Sequence, residues 1–211
     1  MGLRETAFWS PPQPIAPDED DRVNTSAAYS FAFDICAVEV DRATGRVRID
    51  RYVTTHDAGT LLNPALADGQ IRGAFAQGLG AALMEEFRYG SDGSFQSDTF
   101  ADYLVPTTCE VPDPIIVHLE TPSPFTPLGA KGLGEGNNMS TPPCIANAVA
   151  DALGVADITL PLTPSRVMDL LGMDDPPPSR GAVPVRPAGG KAGKALAAQG
   201  EILLPAEPEA V

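Results

Sequence analysis

The sequence predicts an α+β fold, strands and helices mixed without a regular βαβ alternation, on three observations. Residues 29–41 (YSFAFDICAVEVD) and 46–57 (RVRIDRYVTTHD) alternate apolar and polar side chains around an Ala-Thr-Gly turn, as a β-hairpin does. The period then becomes helical, with Ile71, Phe75, Leu79, Leu83 and Phe87 at every fourth position. Last, a short β-rich run (DPIIVHLET, 113–121) is followed by a glycine-rich loop and a second helical pattern, Ile145, Val149 and Leu153.

Taken in order, residues 1–25 read as a linker-like arm, with Pro11, Pro12, Pro14 and Pro17 ahead of an acidic run. The hairpin opens a core of residues 26–172, and DAGTLLNP after it is loop. The long helix is expected over 65–87. A turn centred on Asp92-Gly93 follows, then the strand at 113–121. The second helix is expected near 143–153, with Ser140 or Thr141 as N-cap, prolines in its first turn and Gly154 as its stop. A short helix at 164–172 closes the core. Residues 173–211 are rich in Pro, Gly and Ala and nearly devoid of aromatics, so a disordered tail is expected.

Composition narrows the function. The chain has 211 residues and a formal net charge of −14, which disfavours nucleic-acid binding and docking on anionic membranes. Cys36, Cys109 and Cys144 are far apart and there are two histidines, so neither a disulfide framework nor a zinc site is expected, only reduced, partly buried thiols. No apolar run reaches membrane-spanning length and no secretory signal opens the chain, leaving the cytoplasm as the default compartment.

Two places could carry chemistry. Along the first helix, Gln70, Gly73, Gln77 and Gly80 are spaced 3, 4 and 3 apart beside the apolar stripe. Glycines at 73, 78 and 80 cost helix stability, and close approach of a ligand or of another backbone is the usual compensation. A primary amide suits a heterocycle edge or a phosphate, whereas tight packing with surface glutamines is the plainer reading. The second place is GAKGLGEG, which places Glu135 in backbone of little bulk ahead of a capped helix. It is not a P-loop, because Gly132 follows Lys131. A carboxylate desolvated there would have its pKa raised and could act as a general base; an ordinary loop glutamate is the alternative. His56-Asp57 lacks a second histidine at metal-binding spacing, so Asp57 is expected to hold loop N–H groups instead. Glu85 and Glu86 are expected to be solvated at a helix end. No Ser/His/Asp or Cys/His arrangement is visible.

Read together, DAGTLLNPALADGQIRGAFAQGLGAALMEE, DYLVPTT, ETPSPFTPLGAKGLGEG and PCIANAVADALG occur in the order found at the C-terminal end of one group of subunits. The chain thereby resembles the molybdopterin-binding subunits of molybdenum hydroxylases: xanthine dehydrogenase, aldehyde oxidase and aerobic carbon monoxide dehydrogenase. The resemblance implies the C-terminal portion of a molybdopterin-binding domain. It implies Glu135 as general base beside molybdenum, and Gln70 of the N-P-x-x-x-x-G-Q motif as a pterin contact. Lys131 and, with less weight, Asp57 are implied on the cofactor side. No side chain is implied as a direct metal ligand, since the pterin holds the metal. Implied cofactors are molybdenum-molybdopterin, often in the cytosine dinucleotide form in bacteria, with FAD and [2Fe-2S] clusters on partner subunits. Whole subunits of this family are several times longer. The implied partners are therefore the remaining N-terminal portion, the iron–sulfur and FAD subunits, and a small substrate (an aldehyde, an N-heterocycle, a purine or carbon monoxide). A non-catalytic C-terminal fragment that serves in assembly is the competing expectation.

Overall fold

Strand β1 (Phe31–Val40) turns through Gly45 into β2 (Val47–Asp57), and β3 (Ile115–Leu119) lies on the far side of β2. The hairpin is antiparallel, with a bulge between Ala37 and Val38, and β3 runs parallel to β2. Gly45 takes φ 71°, the left-handed turn conformation that glycine adopts without steric cost. The computed structural model describes residues 2–10, 16–23, 26 and 28–172. These belong to one compact unit, residues 1–177; the second unit, 178–211, and the tail expected at 173–211 lie outside the described residues. The described residues of the N-terminal arm form neither helix nor strand.

Helix α1 (Pro64–Leu83) starts where Asn63 Oδ1 accepts from Leu66 N–H at 3.1 Å and Pro64 occupies the first turn. It ends four residues short of the expected Phe87. The Gly80 carbonyl takes both the Met84 and Glu85 N–H groups, and the Ala82 carbonyl takes Leu162 N–H at 2.7 Å, so the ladder cannot continue. Phe87 is consequently outside the helix and 66% exposed, whereas Ile71, Phe75 and Leu79 are buried as their spacing requires.

Helix α2 (Gly136–Leu153) begins seven residues before the expected 143, and its N-cap is Glu135, not Ser140 or Thr141. Pro142 and Pro143 therefore sit inside the helix, where each removes a backbone donor. The first turn survives because side chains tie it to the sheet, as described below, and because Ser140 Oγ bonds back to the Gly136 carbonyl at 3.1 Å. Gly154 caps the far end at φ 71°. Helix α3 (Pro164–Leu171) lies where it was expected.

Both long helices pack on one face of the sheet. The core between them joins Ile49 and Tyr52 of β2 to Phe75, Leu79, Ile145, Val149, Leu162 and Val167. Tyr52 and Phe75 stack with ring centroids 4.3 Å apart. Gly78 lets α1 and α2 cross closely: a Cβ there would meet Thr141 Cβ at 2.7 Å. At Gly80 an added Cβ would strike Glu85 and Pro106, so these two glycines serve packing, while Gly73 faces open space. Glu85 and Glu86 are half-buried rather than solvated, since Tyr103 donates to Glu85 and Arg166 pairs with Glu86. Cys36 and Cys144 are half-buried free thiols, but Cys109 is exposed.

Candidate functional site

The C-terminal end of β2 and the glycine loop ahead of α2 are bound to each other by backbone. Lys131 N–H donates to the Ala58 carbonyl at 2.7 Å, and Thr60 N–H to the Gly129 carbonyl at 3.1 Å. Both glycines of this seam are left-handed, Gly59 at φ 65° and Gly129 at φ 74°. A Cβ at Gly59 would lie 2.1 Å from the Gly129 carbonyl oxygen, so the two loops could not cross with any other residue there.

Asp57 locks the seam with its side chain. Its Oδ1 accepts from the N–H groups of Gly59 (3.0 Å) and Thr121 (3.1 Å), the loop-holding role its position suggested. Its other oxygen takes the Thr121 hydroxyl and Lys131 Nζ at 3.4 Å. Burial pushes the Asp57 carboxyl up, but these donors outweigh it and hold the group down at about 2. Lys131 Nζ also donates to Thr121 Oγ1 at 2.6 Å, and its side chain is only 9% exposed. Within this chain Lys131 is thus a buried partner of Asp57.

Beyond the seam the backbone opens. A Cβ at Gly132 would touch nothing nearer than Ser30 Oγ at 4.0 Å, and one at Gly134 would lie 3.4 Å from Gln70 Oε1. The loop therefore brings the exposed Gln70 of α1 beside the residue preceding Glu135. Glu135 is exposed, and its carboxylate makes no capping bond to α2. The desolvation expected of Glu135 is not supplied by the described residues; whatever encloses the carboxylate must come from elsewhere. Gln77, two turns further along α1, is exposed as well.

What fixes Glu135 is a buried polar network that was not recognised from the sequence. Asn137, two residues later and wholly buried, has its Oδ1 at 2.5 Å from His56 Nε2. Its amide donates to Thr54 Oγ1 at 2.9 Å and to Asp34 at 3.3 Å. The Tyr52 hydroxyl donates to Asp34 at 2.6 Å and lies 3.0 Å from Thr141 Oγ1. Burial, then the Asp34 carboxylate, push the Tyr52 phenol well above its ordinary range. Gly136 makes room for the ring of His56, since a Cβ there would fall 2.8 Å from His56 Cε1. Asp34, Tyr52, Thr54 and His56 of the sheet's inner face converge on the first two turns of α2, so Glu135 leaves the helix from a rigid base. A signal was available: Asp34, Tyr52, Thr54 and His56 share the same strand parity, concentrating polar groups on one face.

Among the described residues no group of three or more His, Cys, Asp or Glu side chains converges as a metal site would require. The donors present suit a bulky organic ligand better: a free primary amide, glycine backbone without side-chain bulk, and one unpaired carboxylate. His118 on β3 lies apart and engages Asp68 of α1 at 2.7 Å. No described helix is long and apolar enough to cross a membrane.

Residues 1–112 match the sequence family described as the molybdopterin cofactor-binding domain. Nicotine 6-hydroxylase large subunit from Paenarthrobacter nicotinovorans is 40% identical over 170 residues, 79% of this chain and 19% of that protein. The carbon monoxide dehydrogenase large chain of Hydrogenophaga pseudoflava is 32% identical, again over 79% of this chain and 19% of its own length. Among solved structures, quinoline 2-oxidoreductase from Pseudomonas putida 86 superposes with a TM-score of 0.61 at 42% identity, covering 64% of this chain and 17% of that one. Aldehyde oxidoreductase from Desulfovibrio gigas gives a TM-score of 0.68 at 32% identity, covering 75% and 17%. The chain spans about a fifth of the length of the curated relatives it matches.

Proposed function

Since the chain belongs to the molybdopterin-binding subunits of the molybdenum hydroxylases, we propose that it is the base-bearing part of such an enzyme, with Glu135 as general base. Bound molybdenum-molybdopterin supplies two-electron oxidation of a small organic substrate with oxygen derived from water. Gln70 offers its exposed amide to the pterin, and Gly132 and Gly134 keep side chains out of its way. Lys131 and Asp57 pin the loop on the cofactor side as a neutralised pair. Glu135 takes and holds the proton released when the water-derived oxygen is transferred, then gives it up to solvent. The substrate class is that of the relatives as a group: an aldehyde, an N-heterocycle or carbon monoxide. The electrons would be received by [2Fe-2S] clusters and FAD on partner subunits, in the cytoplasm, and the cofactor is molybdenum-molybdopterin, with or without the cytosine nucleotide.

The observation that carries this reading is the exposed Glu135 on a rigid polar base with the Gln70 amide beside it. A fragment kept only for assembly has no need to hold one uncapped carboxylate so firmly. In the assembled complex Glu135→Gln should lower kcat by about 10²–10⁴-fold while molybdenum content stays at the wild-type level. Turnover close to wild type with full metal would dispose of the base.

A further inference from the structure

The face of the sheet turned away from the helices is apolar and open. Register places Phe33, Thr55 and Val117 in one row across the three strands, and Ile35, Val53 and Ile115 in the next. Phe31 and Leu119 flank Asp57 in a third row. Phe31, Phe33 and Ile35 are 67%, 66% and 57% exposed, and Leu119 is 54% exposed. Sheets with parallel pairing are ordinarily covered on both faces, and a contiguous apolar patch of this kind marks an interaction surface.

We propose that this face is where the remaining four-fifths of the molybdopterin-binding subunit docks, joined to this chain or separate from it. The proposal rests on the family reading above and not on the role of Glu135. Two observations choose this occupant. Relatives with the same fold are about five times longer, so in them a large mass of polypeptide accompanies the part seen here. A second copy of the chain is a poor alternative, because each copy carries a formal charge of −14 and like charges oppose self-docking. The patch also touches the candidate site: Lys131 Nζ lies 5.8 Å from the centroid of the Phe31 ring. Docking here would therefore close over the Asp57–Lys131 pair as the subunit is completed.

The test co-expresses the full chain with the nicotine 6-hydroxylase large subunit of Paenarthrobacter nicotinovorans, shortened by the region this chain matches. Association is read by affinity co-purification and size exclusion, without any turnover measurement. The wild-type chain should co-purify near one to one. Phe33→Asp and Val117→Asp should each cut recovery by about tenfold or more, while circular dichroism and thermal melting of the chain alone stay unchanged. Phe100→Asp, at a still more exposed aromatic position off the sheet, should associate as wild type. Glu135→Gln should do so as well, which separates failure of the docking face from failure of the base. The proposal falls if the face variants bind normally, if Phe100→Asp loses as much as they do, or if the wild-type chain does not associate. A chain that instead runs as a dimer, and becomes monomeric with Val117→Asp, would also overturn it.

Discussion

The two faces of the three-stranded sheet are the reverse of what water alone would select. The covered face carries Asp34, Tyr52, Thr54 and His56, while the open face carries phenylalanine, isoleucine, leucine and valine. Polar groups can be buried when each is hydrogen-bonded, and on the covered face they are paired through Asn137 and Thr141. Apolar groups can stay exposed when something else will cover them. The difference teaches that the sheet commits one side to the polar network beneath α2 and leaves an apolar surface on the other.

The comparison breaks most sharply at its hub. Asn137→Leu would leave Thr54, His56 and Asp34 without their shared partner in a buried setting, and unfolding free energy should fall by about 3 kcal/mol. Chemical denaturation of the chain checks it; a loss below about 0.5 kcal/mol would mean that the network is not what anchors α2.

Asp57 stands among the apolar rows of the open face, yet it is buried by the seam it locks. Its folded pKa is lowered, so its contribution is fully present above about pH 4 and is lost as pH falls toward 2. Asp57→Asn should cost about 2 kcal/mol at neutral pH and remove that part of the acid dependence. Urea melts at pH 7 and pH 3 measure both, and parallel curves for variant and wild type would refute the assignment.

Gln70 gives the smallest effect on stability. It is exposed on α1 and closes no network, so Gln70→Ala should shift unfolding free energy by no more than about 0.5 kcal/mol. The same variant in the assembled complex should be purified with less molybdenum, and full occupancy would count against a cofactor contact.

Much of the frame was legible because it depends on local periodicity. Alternation and the Thr44-Gly45 turn gave the hairpin, and Ile71, Phe75 and Leu79 gave the buried face of α1. The helix ends were misjudged where distant groups decide them. The Ala82 carbonyl is taken by Leu162, far along the chain, and Asn137 draws the start of α2 back to the sheet. Pro142 and Pro143 looked like a first turn because prolines usually sit there, and tertiary bonds overruled that preference. At the site, the sequence singled out Glu135 and Gln70, and the loop lays Gln70 against Gly134. How the network closes beneath them could not be read from spacing, since its members come from three separate segments and meet only in the folded chain.

Tyr52 belongs to both worlds at once: its ring lies on Phe75 in the core, and its hydroxyl lies in the cluster under Glu135. Hydrophobic packing and site geometry are therefore mechanically joined through one side chain. A substitution that re-seats Phe75 will tilt the phenol and, through it, the platform beneath Glu135, so an aromatic contact in the core bears on the geometry at the start of α2.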